Sequence, residues 1–110
     1  MHELSITASV VEACSRWANG ARVLRVTLEV GELSCVMPDA LRFCYDVCTL
    51  DTPLQGSELE IVRVPARARC RACGRQVELH SLLDTCACGG FDFDWQSSGD
   101  ELMIRSMEVA

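Results

Sequence analysis

Cys70-Arg71-Ala72-Cys73-Gly74 and Cys86-Ala87-Cys88-Gly89-Gly90 bracket the stretch that decides how this chain is organised. The first is a CxxCG knuckle, and the second cysteine pair follows twelve residues further on. Two cysteine pairs on facing loops are how a ribbon-type module builds a tetrathiolate zinc site. Glycine after the second cysteine of a pair permits a tight turn that aims backbone N–H groups at sulfur. The second pair is CxC, one residue shorter than the usual knuckle, so its turn cannot be identical. His80 lies between the pairs. Four-cysteine ligation by Cys70, Cys73, Cys86 and Cys88, a set in which His80 replaces a thiolate, and no stable metal are the three readings this stretch leaves open. Arg67, Arg69, Arg71 and Arg75 lie close in sequence and could offset the net charge of a zinc tetrathiolate.

Outward from the cysteines, residues 66–98 are rich in Cys, Arg and Gly and short of apolar side chains. The flanks are different. Residues 4–18 read as a helix, with Leu4, Ala8, Val11 and Ala18 at helical spacing and Cys14 and Trp17 widening the stripe. Asn19-Gly20 stops it. Val23–Val30 alternates, with Leu24, Val26, Leu28 and Val30 on one side and Arg25, Thr27 and Glu29 on the other, which predicts a half-buried strand. Pro38 opens a second helix to about Leu50, with Leu41, Cys44, Tyr45 and Cys48 on one face. Leu59–Val64 predicts a second strand closed by Pro65, and Glu101–Val109 a third with muddled alternation. The last strand must return to a sheet begun before the cysteine-rich stretch, because a lone strand is not stable. The predicted fold is an α/β body of the α+β kind: two helices packed on a three-stranded sheet, with an inserted zinc-ribbon-like knob. Its domains are 1–65 plus 99–110, and 66–98.

The chain has 110 residues, a hydrophobic fraction of 49% and a formal net charge of −6. That is one domain, or one small domain with an appendage, and too apolar for intrinsic disorder. All ten basic residues are arginine. The acidic balance argues against nucleic-acid or anionic-membrane partners. No apolar run reaches the ~18 residues of a membrane span, and the first residues do not resemble a signal peptide. A cytoplasmic location is expected. Eight cysteines in a reducing compartment point to metal where they cluster. Cys14, Cys44 and Cys48, on predicted apolar helix faces, read as core residues.

Met1-His2-Glu3 has its own chemistry. A free α-amine, the amide nitrogen and imidazole of His2, and a Glu3 donor can converge on one metal, and nitrogen-rich planar ligation selects Ni(II) or Cu(II). The start Met-His-Glu-Leu-Ser-Ile, the segment Val30-Gly31-Glu32-Leu33-Ser34-Cys35-Val36, the CxxCG knuckle and the end Gly99-Asp100-Glu101-Leu102-Met103-Ile104-Arg105-Ser106-Met107-Glu108-Val109 occur in that order. Together they resemble the HypA/HybF family of hydrogenase-maturation nickel chaperones over essentially the whole chain. The resemblance implies a nickel-binding α/β domain, a zinc domain inserted before the last strand, and no enzymatic activity. It implies Ni(II) as transient cargo, Zn(II) as a structural ion, and delivery to the large-subunit precursor of [NiFe]-hydrogenase together with a maturation-pathway GTPase. The implied nickel ligands are Met1, His2 and Glu3, with Asp39 the nearest candidate for a second carboxylate. The implied zinc ligands are Cys70 and Cys73, with Cys86 and Cys88 as the second pair. The family usually shows CxxC there, and Thr85 stands where its first cysteine belongs.

Two other classes use the same cysteines: a nucleic-acid ribbon, disfavoured by charge and few aromatics, and a rubredoxin-like iron site. An enzyme is disfavoured because two histidines, one of them terminal, assemble no nucleophile–base arrangement.

Overall fold

The structure, a computed structural model, describes residues 3–110. Helix α1 spans Glu3–Ala18. Its buried stripe is Thr7, Val10, Val11, Cys14 and Ala18, at the i, i+3, i+4 spacing that lines one helical face. Val11, Cys14 and Ala18 lie on it as expected, whereas Leu4, Ala8 and Trp17 are exposed. Thr7 takes the inward position instead, because its hydroxyl is satisfied by donating to the Glu3 carbonyl at 2.6 Å. The helix ends where Asn19 and Gly20 both adopt positive φ, and the Ala21 N–H bonds back to Ala18.

Strand β1 follows at Val23–Gly31 and helix α2 at Pro38–Cys48. Pro38 occupies the first turn, and Met37 is the extended residue before it. Leu41 and Tyr45 are the fully buried side chains of α2, and the Tyr45 hydroxyl shares a 2.6 Å hydrogen bond with Ser57. Cys44 and Cys48 are half-buried, while Cys14 is wholly buried, which pushes its thiol up. Strand β2 is Glu58–Val64 and the last strand, β6, is Leu102–Val109. They flank β1 in a three-stranded sheet of order β2-β1-β6. The predicted strand and its return thus hold, with β1 in the middle. Central placement explains why Thr27, predicted to face outward, is buried beside Val26 and Leu28. Leu24 departs the other way and is half exposed at the strand's start. Arg25 on β1 pairs with Glu58 and Glu60 on β2, and Glu29 with Arg105 on β6. These are exposed pairs of modest worth that fix which strand edges meet.

The cysteine-rich stretch is more ordered than its composition implies. Strands β3 (Ala66–Cys70), β4 (Gln76–Leu79) and β5 (Phe93–Ser97) form a second antiparallel sheet of order β4-β3-β5. Ala66, Ala68 and Cys70 point inward on β3, while Arg67 and Arg69 point outward. The inward set joins Leu79, Cys86 and Phe93 in a small core, with Leu33 and Val77 against it. Trp95 stacks edge-on against Phe93.

By compactness the chain forms two units. One takes in the chain to Glu29, Val36–Val62 and Met103–Ala110; the other holds Val30–Cys35 and Arg63–Leu102. In the second unit the segment after β1 is stitched down by its own backbone. The N–H of Gly31 donates to Glu101, that of Glu32 to Val64, and that of Leu33 to Gly99. The approach is close enough that a Cβ on Gly31 would lie 2.1 Å from the Gly99 carbonyl oxygen. Only glycine fits there, since the obstacle is backbone.

Candidate functional site

Cys70 ends β3 and begins the first knuckle. The Gly74 N–H closes the turn on the Cys70 carbonyl at 2.8 Å, and the Cys70 N–H donates to Arg75 at 2.9 Å. Gly74 sits at φ +76, the left-handed conformation that the glycine after the pair was expected to supply. The Cys73 and Ala72 N–H groups point at the Cys70 sulfur and hold its thiol down at about 7.

The shorter pair closes by a different turn. The Cys86 N–H donates to Gly90, and the Gly89 N–H, at φ +88, returns to Cys86 at 2.8 Å. The Gly90 N–H then donates to the Cys88 sulfur at 3.4 Å. That bond lowers the Cys88 thiol, but sharing protons with the Cys86, Cys73 and Cys70 sulfurs outweighs it and pushes the thiol up to about 11. Without an ion, four thiols so close cannot all ionise, which is the electrostatic demand a cation would meet.

The four sulfurs lie within 4.8 Å of one another, with Cys70 and Cys86 buried and Cys73 and Cys88 exposed. Cys70 to Cys88 and Cys73 to Cys86 are each 3.7 Å apart. Tetrahedral zinc at a Zn–S length of about 2.3 Å requires sulfurs about 3.8 Å apart. The residues present therefore fit a zinc ion. His80 is not in this group: its Nδ1 donates to the Glu32 carboxylate at 2.6 Å, and its backbone N–H donates to Asp84. Arg67 lies opposite Glu78 and Arg69 opposite Asp94 across the sheet, and Arg71 is 3.9 Å from Asp92.

The doubled glycine of the second pair is a residue the sequence reading passed over. A Cβ on Gly90 would lie 2.7 Å from the Cys70 sulfur and 3.2 Å from that of Cys88. The usual Cβ contact is farther, so the methyl of Gly90→Ala must displace a ligand. Gly90→Ala should weaken zinc retention by about tenfold or more, consistent with the 10–100-fold cost of disturbing groups that orient metal ligands. Competition with a chromophoric chelator measures it, and wild-type retention would show that the turn can open elsewhere.

At the other candidate site, Met1 and His2 lie outside the described residues. Glu3 opens α1, and its carboxylate accepts from the Met37 N–H at 3.2 Å. Asp39 is exposed in the first turn of α2, two residues past Met37.

A small α+β chain whose second sheet presents four converging thiols is a metal-binding protein. The particular family follows from the whole sequence. A family profile described as hydrogenase/urease nickel incorporation, metallochaperone, hypA, matches residues 1–109, and the chain belongs to this HypA family. It is similar to the hydrogenase maturation factor HypA of Geotalea uraniireducens, at 52% identity over 99% of both chains, and to that of Geobacter metallireducens, at 50% over the same share. The solution structure of the nickel metallochaperone HypA from Helicobacter pylori matches with a TM-score of 0.66 at 22% identity, covering 99% of this chain and 97% of that one, and shows the shared fold. The chain is thus a nickel metallochaperone of hydrogenase maturation and not an enzyme. No helix among the described residues is long and apolar enough to cross a membrane.

Proposed function

We propose that this chain carries Ni(II) as cargo at its N-terminus and delivers it in the cytoplasm to the [NiFe]-hydrogenase large-subunit precursor, working with a maturation-pathway GTPase. The family match over residues 1–109 carries this reading. The nickel donors are the Met1 amine, the His2 amide and imidazole, and the Glu3 amide. Glu3 begins α1. The first N–H groups of a helix have no acceptor four residues back, so a metal takes the Glu3 nitrogen without breaking a helical bond. The positive end of the helix dipole favours the negative charge of a deprotonated amide. Asp39 is the candidate second carboxylate.

Cys70, Cys73, Cys86 and Cys88 would hold a structural zinc ion. Zinc supplies the folding energy that a small core does not. Residues 1–65 with 99–110 form the nickel-binding part, and 66–98 the zinc-binding part.

The test is nickel titration of untagged protein beside a variant extended by a few residues before Met1. Extension removes the free amine and leaves every side chain. One nickel per chain, bound only by the untagged protein, is the expected result. Equal binding in both would move the site elsewhere.

A further inference from the structure

Along the solvent side of α2 the polar pattern is broken. The outward positions of a surface helix usually carry polar residues, as Asp39, Arg42 and Asp46 do here. Phe43, Val47 and Leu50 do not. They stand at i, i+4 and i+7 and are 72%, 49% and 56% exposed. Thr49, helical in its backbone, carries the row past the end of α2 to Leu50. The helix meets the core through Leu41 and Tyr45, so the outer row is surplus to the packing of the fold.

The row is held firmly. The Tyr45 hydroxyl is bonded to Ser57, and the Thr49 N–H donates to the Tyr45 carbonyl at 3.0 Å. Asp51 sits at φ +60, with its N–H donating to the Gln55 side chain at 2.9 Å, and the Thr52 hydroxyl donates to the Thr49 carbonyl at 2.7 Å. All of these residues belong to one compact unit. A row already fixed in place has little freedom to lose when it is covered. The charge around it has one sign. Asp39, Asp46 and Asp51 are exposed, and none of them forms an ion pair among the described residues. The neighbouring cation, Arg42, is engaged by the Leu59 carbonyl at 2.5 Å.

We propose that this face of α2 docks a basic amphipathic helix of a protein partner. The partner's apolar ridge packs along Phe43, Val47 and Leu50, and its Arg or Lys side chains meet Asp46 and Asp51. Side chains at i, i+4 and i+7 span about 10 Å along a helix axis, and a row of that kind is the ridge that fits the groove of a facing helix. An extended segment, with side chains alternating every second residue, does not match it. A second copy of this chain is the wrong occupant, because a two-fold contact sets the same aspartates against themselves. The formal net charge of −6 attracts a basic partner from longer range. The proposal does not depend on where nickel binds.

The experiment is fluorescence anisotropy of three labelled peptides, each of about five helical turns, with the full-length zinc-loaded protein. All carry leucine at i, i+3, i+4 and i+7. The first fills its other face with arginine and alanine, the second with glutamate and alanine, and the third is the first with a central proline. The arginine peptide should bind at least tenfold tighter than the other two. Phe43→Ala should weaken it about tenfold, the scale of losing an anchoring aromatic. Asp46→Asn combined with Asp51→Asn should weaken it about threefold and flatten its salt dependence. Leu83→Ala removes an exposed apolar side chain of the knob and should bind as wild type does. Circular dichroism should be unchanged throughout, because every substituted side chain is exposed. Equal binding of the glutamate or the proline peptide overturns the partner's chemistry. Wild-type affinity in Phe43→Ala, or an equal loss in Leu83→Ala, overturns the site. Self-association of the wild type that Phe43→Ala abolishes makes the occupant a second copy and overturns the proposal too.

Discussion

Cys70→Ser should abolish stoichiometric zinc and melt the sheet of β3, β4 and β5. Cys70 is a ligand candidate, the last residue of β3, and a fully buried member of the knob's core. The other buried members are Ala66, Ala68, Leu79, Cys86 and Phe93, of which only Leu79 and Phe93 are large. Burying such a side chain contributes about 1.5–3 kcal/mol. Ordering a residue costs about 1.5 kcal/mol, so two large side chains cannot hold a three-stranded sheet and its loops. Structural zinc in small modules contributes about 10–16 kcal/mol near neutral pH. Removing one thiolate forfeits most of that. The measurement is zinc content by mass spectrometry together with amide exchange across residues 66–98. Protection retained in the zinc-free variant would mean that the apolar core suffices. Strong chelation of the wild type should give the same result reversibly.

The second large effect is at the other end of the chain. His2→Ala should eliminate tight nickel binding, because it removes the imidazole that anchors the proposed chelate and leaves amides that do not deprotonate near neutrality without it. Isothermal titration should show affinity falling by at least a hundredfold, the upper end of what is lost when even a supporting group is removed. Zinc content and circular dichroism should not change. The same titration fixes a sign. The proposed donors bind only after losing protons, so binding releases protons and apparent affinity falls as pH falls. Each released proton makes the fall about tenfold per pH unit. Affinity independent of pH between neutrality and mild acid would rule out amine, amide and imidazole as the ligand set, whatever the fate of the mutant.

Much of this was legible in order along the chain. The alternation from Val23 to Val30 marked the central strand, and Asn19-Gly20 and Pro38 marked helix ends through their backbone preferences. These signals are local, so they survive without tertiary context. The misreadings share one cause. Trp17 and Leu4 are apolar but exposed, and Thr7 is polar but buried, because inwardness depends on which neighbour arrives and not on side-chain type alone. The short strands of the knob were hidden by composition: β3 alternates alanine with arginine in place of large apolar residues, and β4 and β5 alternate apolar and polar residues over only four or five positions.

The sequence by itself determined the chemistry available: four thiols in two close pairs, a terminal Met-His-Glu, and an order of motifs that the family shares. Spacing alone left open whether a CxC pair could converge with a CxxC pair, and whether His80 would join them. Tertiary structure decided both. Gly90 gives the backbone room to bring Cys88 beside Cys70, and Glu32, forty-eight residues away in the chain, takes the His80 ring. Convergence of this kind depends on distances between segments remote in sequence, and those distances exist only once the two sheets have formed.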